Sequence, residues 1–192
     1  MKIEAINLFK VSGHWEGPGF PAGDRVAHPL DIYPAFNQRE WQHIEGRHPI
    51  QAQYVEIQTD EGISGLFGPI ETEGAFIIDH FLRPFLIGRD PLANEVLLDQ
   101  MLRMHRHGRS GLFVTGVSAI DCALWDLKGK FFRQPVYRLL GGPTRPEIPT
   151  YASMLGFSIE PEAAANVAIE FKAQGYLAQK WFFRYGPGDG DV

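Results

Sequence analysis

Near the end of the 192-residue sequence one lysine stands inside an apolar run, Leu177-Ala178-Gln179-Lys180-Trp181-Phe182-Phe183, which gives way to Gly186-Pro187-Gly188-Asp189-Gly190. Taken alone, Lys180 reads as a side chain that snorkels from a strand end. Asp189 and Asp191 flank Gly190 as in a metal loop, but no third oxygen ligand stands at a fixed position, so they read as loop solvators. His105 and His107 lie two apart in a break between helices. They could contact a metal or a substrate, and a solvent-facing pair is the commoner outcome. The glycine run is no phosphate cradle: it lacks the lysine followed by Ser or Thr, and Pro187 removes a backbone donor.

A second group of polar side chains falls in the segment 12–47, where His14, Arg25, His28 and Arg39 are interleaved with Trp15, Phe20, Tyr33, Phe36 and Trp41. Eight Gly and Pro residues break its first two dozen positions, and connections of this length are uncommon unless functional or disordered. The segment reads as a long loop, either a lid able to contact a polar ligand or a packed surface loop.

The elements around these residues follow from periodicity. Lys2–Val11 and Gln51–Thr59 alternate as strands, with Val55 and Ile57 on one face. Thr59-Asp60-Glu61-Gly62 forms a tight turn into Ile63–Gly68, which predicts a three-stranded antiparallel sheet. Helices are expected at Thr72–Arg83, ended by Pro84 and Gly88, and at Pro91–Met104, with Asp90 as cap. Another spans Phe113–Phe131, with Val117, Ile120, Leu124, Leu127 and Phe131 as an apolar stripe. Asp121 and Asp126 lie off that stripe and read as structural or solvated. A short helix from Pro135 ends at Gly141-Gly142. Beyond Thr144-Arg145-Pro146 the pattern becomes β, α, β: Ile148–Met154, Glu160–Gln174 and Leu177–Phe183. One such unit cannot cover both faces of a parallel sheet, so it belongs to something larger, a doubly wound sheet or a (β/α)8 barrel.

Composition narrows the class. With 44% hydrophobic and 21% charged residues the chain can bury a core. A net charge of −5 with scattered basic residues argues against nucleic acid. Cys122 is the single cysteine, which rules out a disulfide framework or a cysteine-based zinc site within one chain. The opening MKIEAINLFKVSG lacks an apolar h-region and no run reaches membrane-spanning length, so a cytoplasmic protein without a membrane partner is expected.

The run Ser118-Ala119-Ile120-Asp121-Cys122-Ala123-Leu124-Trp125-Asp126-Leu127-Lys128-Gly129-Lys130, followed by Gln134-Pro135-Val136-Tyr137-Arg138-Leu139-Leu140-Gly141-Gly142, resembles the mandelate racemase and muconate lactonizing group of the enolase superfamily. The resemblance covers essentially the whole chain. It implies an α+β capping domain over residues 1–145, then the first βαβ of an incomplete (β/α)8 TIM-type barrel over 146–192. The loop Gly186-Pro187-Gly188-Asp189-Gly190 looks like that of acid-sugar dehydratases, the rhamnonate dehydratases among them.

In such enzymes a Lys-x-Lys pair on the second barrel strand points into the site. Lys180 matches the first lysine, and Phe182 stands in place of the second. The resemblance therefore implies a catalytic Lys180 near the substrate carboxylate or α-carbon, with the proton-abstracting base supplied elsewhere, as by a His–Asp pair from late strands. It implies proton abstraction α to a carboxylate, Mg2+ held by carboxylates of the third to fifth barrel strands, and loss of the β-hydroxyl. No metal ligand can be assigned in this sequence. His14, Arg25, His28 and Tyr33 are the candidates to bind a polyhydroxy acid, and Gly65–Gly68 with Pro69 would approach the barrel mouth. A homo-oligomer is expected. The alternatives are a racemase, epimerase or cycloisomerase of the same group, or an inactive remnant serving as an interaction module.

Overall fold

The computed structural model describes residues 1–17, 23–24, 29–33, 35–36, 40–41, 46–155 and 157–182. Its contacts divide the chain into two compact units, Met1–His14 with Pro49–Pro146, and Trp15–His48 with Glu147–Val192.

The first unit is a three-stranded antiparallel sheet in the order β1 (Ile3–Gly17), β4 (Gly46–Thr59), β5 (Ser64–Phe67), packed against helices. Val55 pairs with Phe67 and Gln58 with Ser64 across β4 and β5. Val55, Ile57 and Thr59 turn inward, as the alternation predicts. On β1 both Ile3 and Ile6 are buried, so the inward face changes parity between them, the effect a bulge has on a strand. Gly62 takes φ +78° in the turn before β5, a conformation costly for a residue with a Cβ.

The expected long loop from Ser12 to Arg47 is corrected by the structure. β1 continues to Gly17 and β4 begins at Gly46, and a short antiparallel pair, β2 (Gly23–Asp24) with β3 (Glu40–Trp41), lies between them. The cross-strand contacts keep one register: Phe9 stacks on Tyr54 at 5.8 Å, Gln51 Nε2 donates to Ser12 Oγ at 3.0 Å, and Arg47 pairs with Glu16 at 3.2 Å. Where described, the side chains of Val11–Glu16 and of the facing Arg47–Gln51 are exposed, so this end of the ribbon lacks the apolar alternation that marks a half-buried strand.

The helices cover the inner face of the sheet. α1 (Thr72–Ile77) runs into one π-type turn, Ile78–Leu82, where Arg83 N–H bonds back five residues to Ile78 O, and then into α2 (Arg83–Leu86). Pro84 was expected to end the helix. Instead it sits in the first turn of α2, where its missing N–H costs nothing, and the π-type turn absorbs the change of register. The helix α3 covers Asn94–Met104 and starts later than Pro91, because Asp90 Oδ1 accepts Leu92 N–H at 2.9 Å and closes a turn before the helix.

α4 (Gly111–Phe132) is the central helix. Val117, Ile120, Leu124 and Leu127 are buried with Ile3, Ile57, Ile78, Leu82, Leu86 and Met101 in one core, whereas Phe131 is 37% exposed. Gly116 inside α4 is explained by proximity: a Cβ there would lie 2.7 Å from Ile77 Cγ2, so the glycine lets α1 approach. The helix ends with Arg133 at φ 54°, its N–H bonded to Lys130 O and Gln134 N–H to Gly129 O, the pattern of a left-handed C-cap. α5 (Val136–Leu139) follows.

In the second unit β6 (Ala152–Ser153) and β7 (Gln179–Lys180) pair in parallel, joined by α6 (Pro161–Ala173). Both strands are shorter than the periodicity suggests, with two residues each in ladder geometry. Pro161 opens α6, and Gly175 lies just beyond its end at φ +97°.

Candidate functional site

The parallel register sets Ala152 beside Gln179 and Ser153 beside Lys180. Alternate residues of a strand share a face, so Ala152, Met154, Gln179 and Trp181 point one way and Tyr151, Ser153, Lys180 and Phe182 the other. The first face belongs to the helix. Ala152 and Met154 are buried, and Gln179 Nε2 donates to Ala168 O of α6 at 2.8 Å. Lys180 therefore projects away from α6, on the side that becomes the interior when such units close into a barrel, and at the end of its strand.

The ammonium of Lys180 lies 4.7 Å from the Phe182 ring centre and 5.8 Å from that of Tyr151. Tyr151, Ser153 and Lys180 are exposed. The sequence reading overlooked Tyr151 and Ser153. The signal was available: a strand over Ile148–Met154 paired in parallel with the Lys180 strand puts one of its two alternating sets beside the lysine. A 670 Å3 cavity lies at the opposite end of the pair, lined by Ile148–Tyr151 and Gln174–Ala178. Barrel chemistry sits at the C-terminal ends of strands, which sets that cavity apart from Lys180.

Of the other sequence candidates, His14 is exposed on β1. Tyr33 is exposed after the 3-10 turn Pro29–Ile32, its N–H donating to Leu30 O at 3.0 Å, and among the described residues no bond or ring contact joins it to Lys180. Arg25, His28, Asp189 and Asp191 lie outside the described residues. Among those described, no three His, Cys, Asp or Glu side chains converge as a metal site. His105 and His107 are exposed; the His105 ring stacks on Phe113 at 5.1 Å, and its Nδ1 accepts the His107 N–H at 3.1 Å.

The two aspartates of α4 separate cleanly. Asp126 Oδ2 accepts Leu66 N–H at 2.8 Å and pairs with Lys130 at 2.7 Å, while Lys130 Nζ donates to Ser64 O at 3.0 Å. Both side chains satisfy the open edge of β5. Asp121 has a buried Oδ1 without a partner, and burial, followed by the charge of Glu95, raises its carboxyl above the usual range. Gly65 and Gly68 serve packing: a Cβ on Gly65 would lie 2.1 Å from Ala123 O, and one on Gly68 2.4 Å from the Tyr54 ring. No described helix is long and apolar enough to cross a membrane.

Residues 43–141 match the family described as mandelate racemase / muconate lactonizing enzyme, N-terminal domain. Over 99% of its length the chain is similar to the L-rhamnonate dehydratase of Saccharopolyspora erythraea, 32% identical across 197 residues, and spans 47% of that relative. Among solved structures it is similar to an enolase-superfamily member from Polaromonas sp. JS666, with TM-score 0.69, 29% identity and coverage of 95% of this chain and 44% of the other. It is also similar to the 3,6-anhydro-D-galactonate cycloisomerase of Zobellia galactanivorans, with TM-score 0.64, 32% identity and coverage of 93% and 42%. The chain thus spans about half the length of the relatives it matches.

Proposed function

The chain belongs to the mandelate racemase and muconate lactonizing enzyme group of the enolase superfamily, and we propose that the protein is an acid-sugar dehydratase acting on a substrate of the rhamnonate type. The observation that carries this reading is the similarity to an L-rhamnonate dehydratase along nearly the whole chain. A proton leaves the carbon α to the carboxylate for a base, the β-carbon–oxygen bond breaks, and the departing hydroxide takes a proton to become water. The resulting enol rearranges to a 2-keto-3-deoxy acid.

Within that reaction Lys180 is assigned the catalytic role. Its ammonium stands at the end of β7, on the face away from α6, where it can pair with the substrate carboxylate and offset the negative charge that develops there. Phe182 cannot act as a base, so the proton goes to another group. The magnesium ion typical of this superfamily stabilises such an enediolate when bound. The described residues do not form a site that fits it. His14 and Tyr33, with Arg25 and His28, are assigned to the hydroxyl groups of the acid sugar.

The test is turnover of a panel of acid sugars by the protein expressed from its own gene, with and without Mg2+, read as formation of 2-keto-3-deoxy acid. Lys180→Ala should lower kcat/KM by about a hundredfold or more, the order seen when one stabilising donor is removed. No keto-deoxy product from any acid sugar would overturn the assignment. A racemase or cycloisomerase reading draws support from the similarity to a cycloisomerase. It shares the first proton abstraction and differs in product, so an isomer of unchanged mass would favour it.

A further inference from the structure

We propose that Tyr151 and Phe182 are positioning residues that hold the Lys180 ammonium between two aromatic faces, ready for an anionic group; this rests on the acid-sugar reading above. Both rings lie within the roughly 6 Å at which a cation is attracted to a ring face, Phe182 at 4.7 Å and Tyr151 at 5.8 Å. The arrangement follows from the ladder. Phe182 lies two residues beyond Lys180, just past the end of β7, and Tyr151 two residues before Ser153, the register partner of Lys180, just ahead of β6. Alternation then brings all three side chains to one face.

Two further features give the contact a purpose. Lysine stems lose much rotamer freedom when fixed, so an ammonium already held by rings gives up less on binding a carboxylate. Among the described residues no carboxylate pairs with Lys180, whereas Lys130 is bound to Asp126. Phe182 is thus more than the loss of a second lysine. In place of a base it supplies one wall of a holder for the first.

The first measurement needs no substrate. In the full protein, lysines are reductively methylated with 13C-formaldehyde and observed by NMR, the Lys180 signal being identified by its loss in Lys180→Arg. Ring currents should displace it upfield. Phe182→Leu should return it toward the position of unstacked lysines, Tyr151→Leu should do so in part, and Tyr151→Phe should leave it in place. The Lys128 signal, from an ammonium 5.0 Å from the Trp125 ring, should be indifferent to all three changes. A Lys180 signal already at the unstacked position, or one that Phe182→Leu does not move, overturns the proposal.

The second measurement is kinetic. Phe182→Leu should raise KM for the acid sugar about two- to fivefold, the scale of one cation–ring contact, with kcat within about twofold, and Phe182→Tyr should restore it. An unchanged KM overturns the positioning role. The shifted Lys180 signal without acid-sugar turnover would refute the dehydratase reading and leave the ring contact standing. Turnover with an unshifted signal would do the reverse.

Discussion

The carboxylate of Asp126 in α4 accepts the backbone N–H of Leu66 in β5 at 2.8 Å, across 60 residues of sequence. β5 is an edge strand of its sheet, and an unpaired edge offers backbone groups to other chains. Asp126 takes one of those donors and Lys130, its ion-pair partner, binds the Ser64 carbonyl. One turn of helix thereby closes part of the edge.

Removing that acceptor should be felt. Asp126→Ala is expected to lower unfolding stability by about 1 kcal/mol, below the full figure for a charged acceptor because solvent screens a half-exposed group. Lys130→Ala should cost less, about 0.5 kcal/mol, and Asp126→Asn, which keeps an acceptor oxygen, should fall between wild type and Asp126→Ala. Urea midpoints that are identical for Asp126→Ala and wild type would sink the edge-closing role.

Gly65 and Gly62 should respond differently to alanine. At Gly65 the new Cβ would meet the Ala123 carbonyl at 2.1 Å and Leu127 Cβ at 2.7 Å, so α4 must move off the sheet. Gly65→Ala should cost at least about 3 kcal/mol. Gly62 has open space around it but φ +78°. Gly62→Ala should cost about 1 kcal/mol, the strain of the left-handed region alone. Equal losses in thermal or urea unfolding would contradict this distinction.

Asp121 makes the stability depend on pH. Its carboxyl is raised above the ordinary 3.8 by burial first and by Glu95 second. The folded chain therefore holds this proton more tightly than the unfolded chain, and stability falls as pH climbs from about that ordinary value through the raised one. Asp121→Asn should raise the urea midpoint at pH 7, with the gain disappearing in acid below the usual carboxylate range. A gain equal at pH 4 and pH 7 would show that the unpartnered oxygen, rather than its charge, is the source.

Cys122 should be a slow thiol. Burial first and the Asp121 charge second push it up, against a hydrogen bond from Ser118 that pulls it down. Labelling with iodoacetamide at pH 7.5 should run slower in the folded protein than in urea, since the thiolate is the reacting form. Asp121→Asn should speed the folded reaction. Comparable rates in the folded and unfolded states would contradict this environment.

Local pattern alone determined the elements whose signals repeat: the apolar stripe of α4, the inward Val55 and Ile57, the turn at Gly62, and the β, α, β order after Pro146. It also carried the family, because Ala119–Lys130 and Pro135–Gly142 are dense with residues that packing constrains: Ala123 where β5 comes close, Gly129 at the helix end, Asp126 and Lys130 on the strand edge. The use of those residues was not legible, since Asp126 meets Leu66 and Lys130 meets Ser64 at separations of 60 and 66 residues. The ribbon beyond Lys10 was misread for the opposite reason: its strands are held by backbone bonds and cross-strand pairs, with both faces wet, and so lack periodicity. For Lys180 the sequence supplied the type and the strand. Only the tertiary structure decided its direction, because a lysine's face depends on which alternate set the helix covers, and α6 takes Gln179, leaving Lys180 with Tyr151 and Phe182 on the other side.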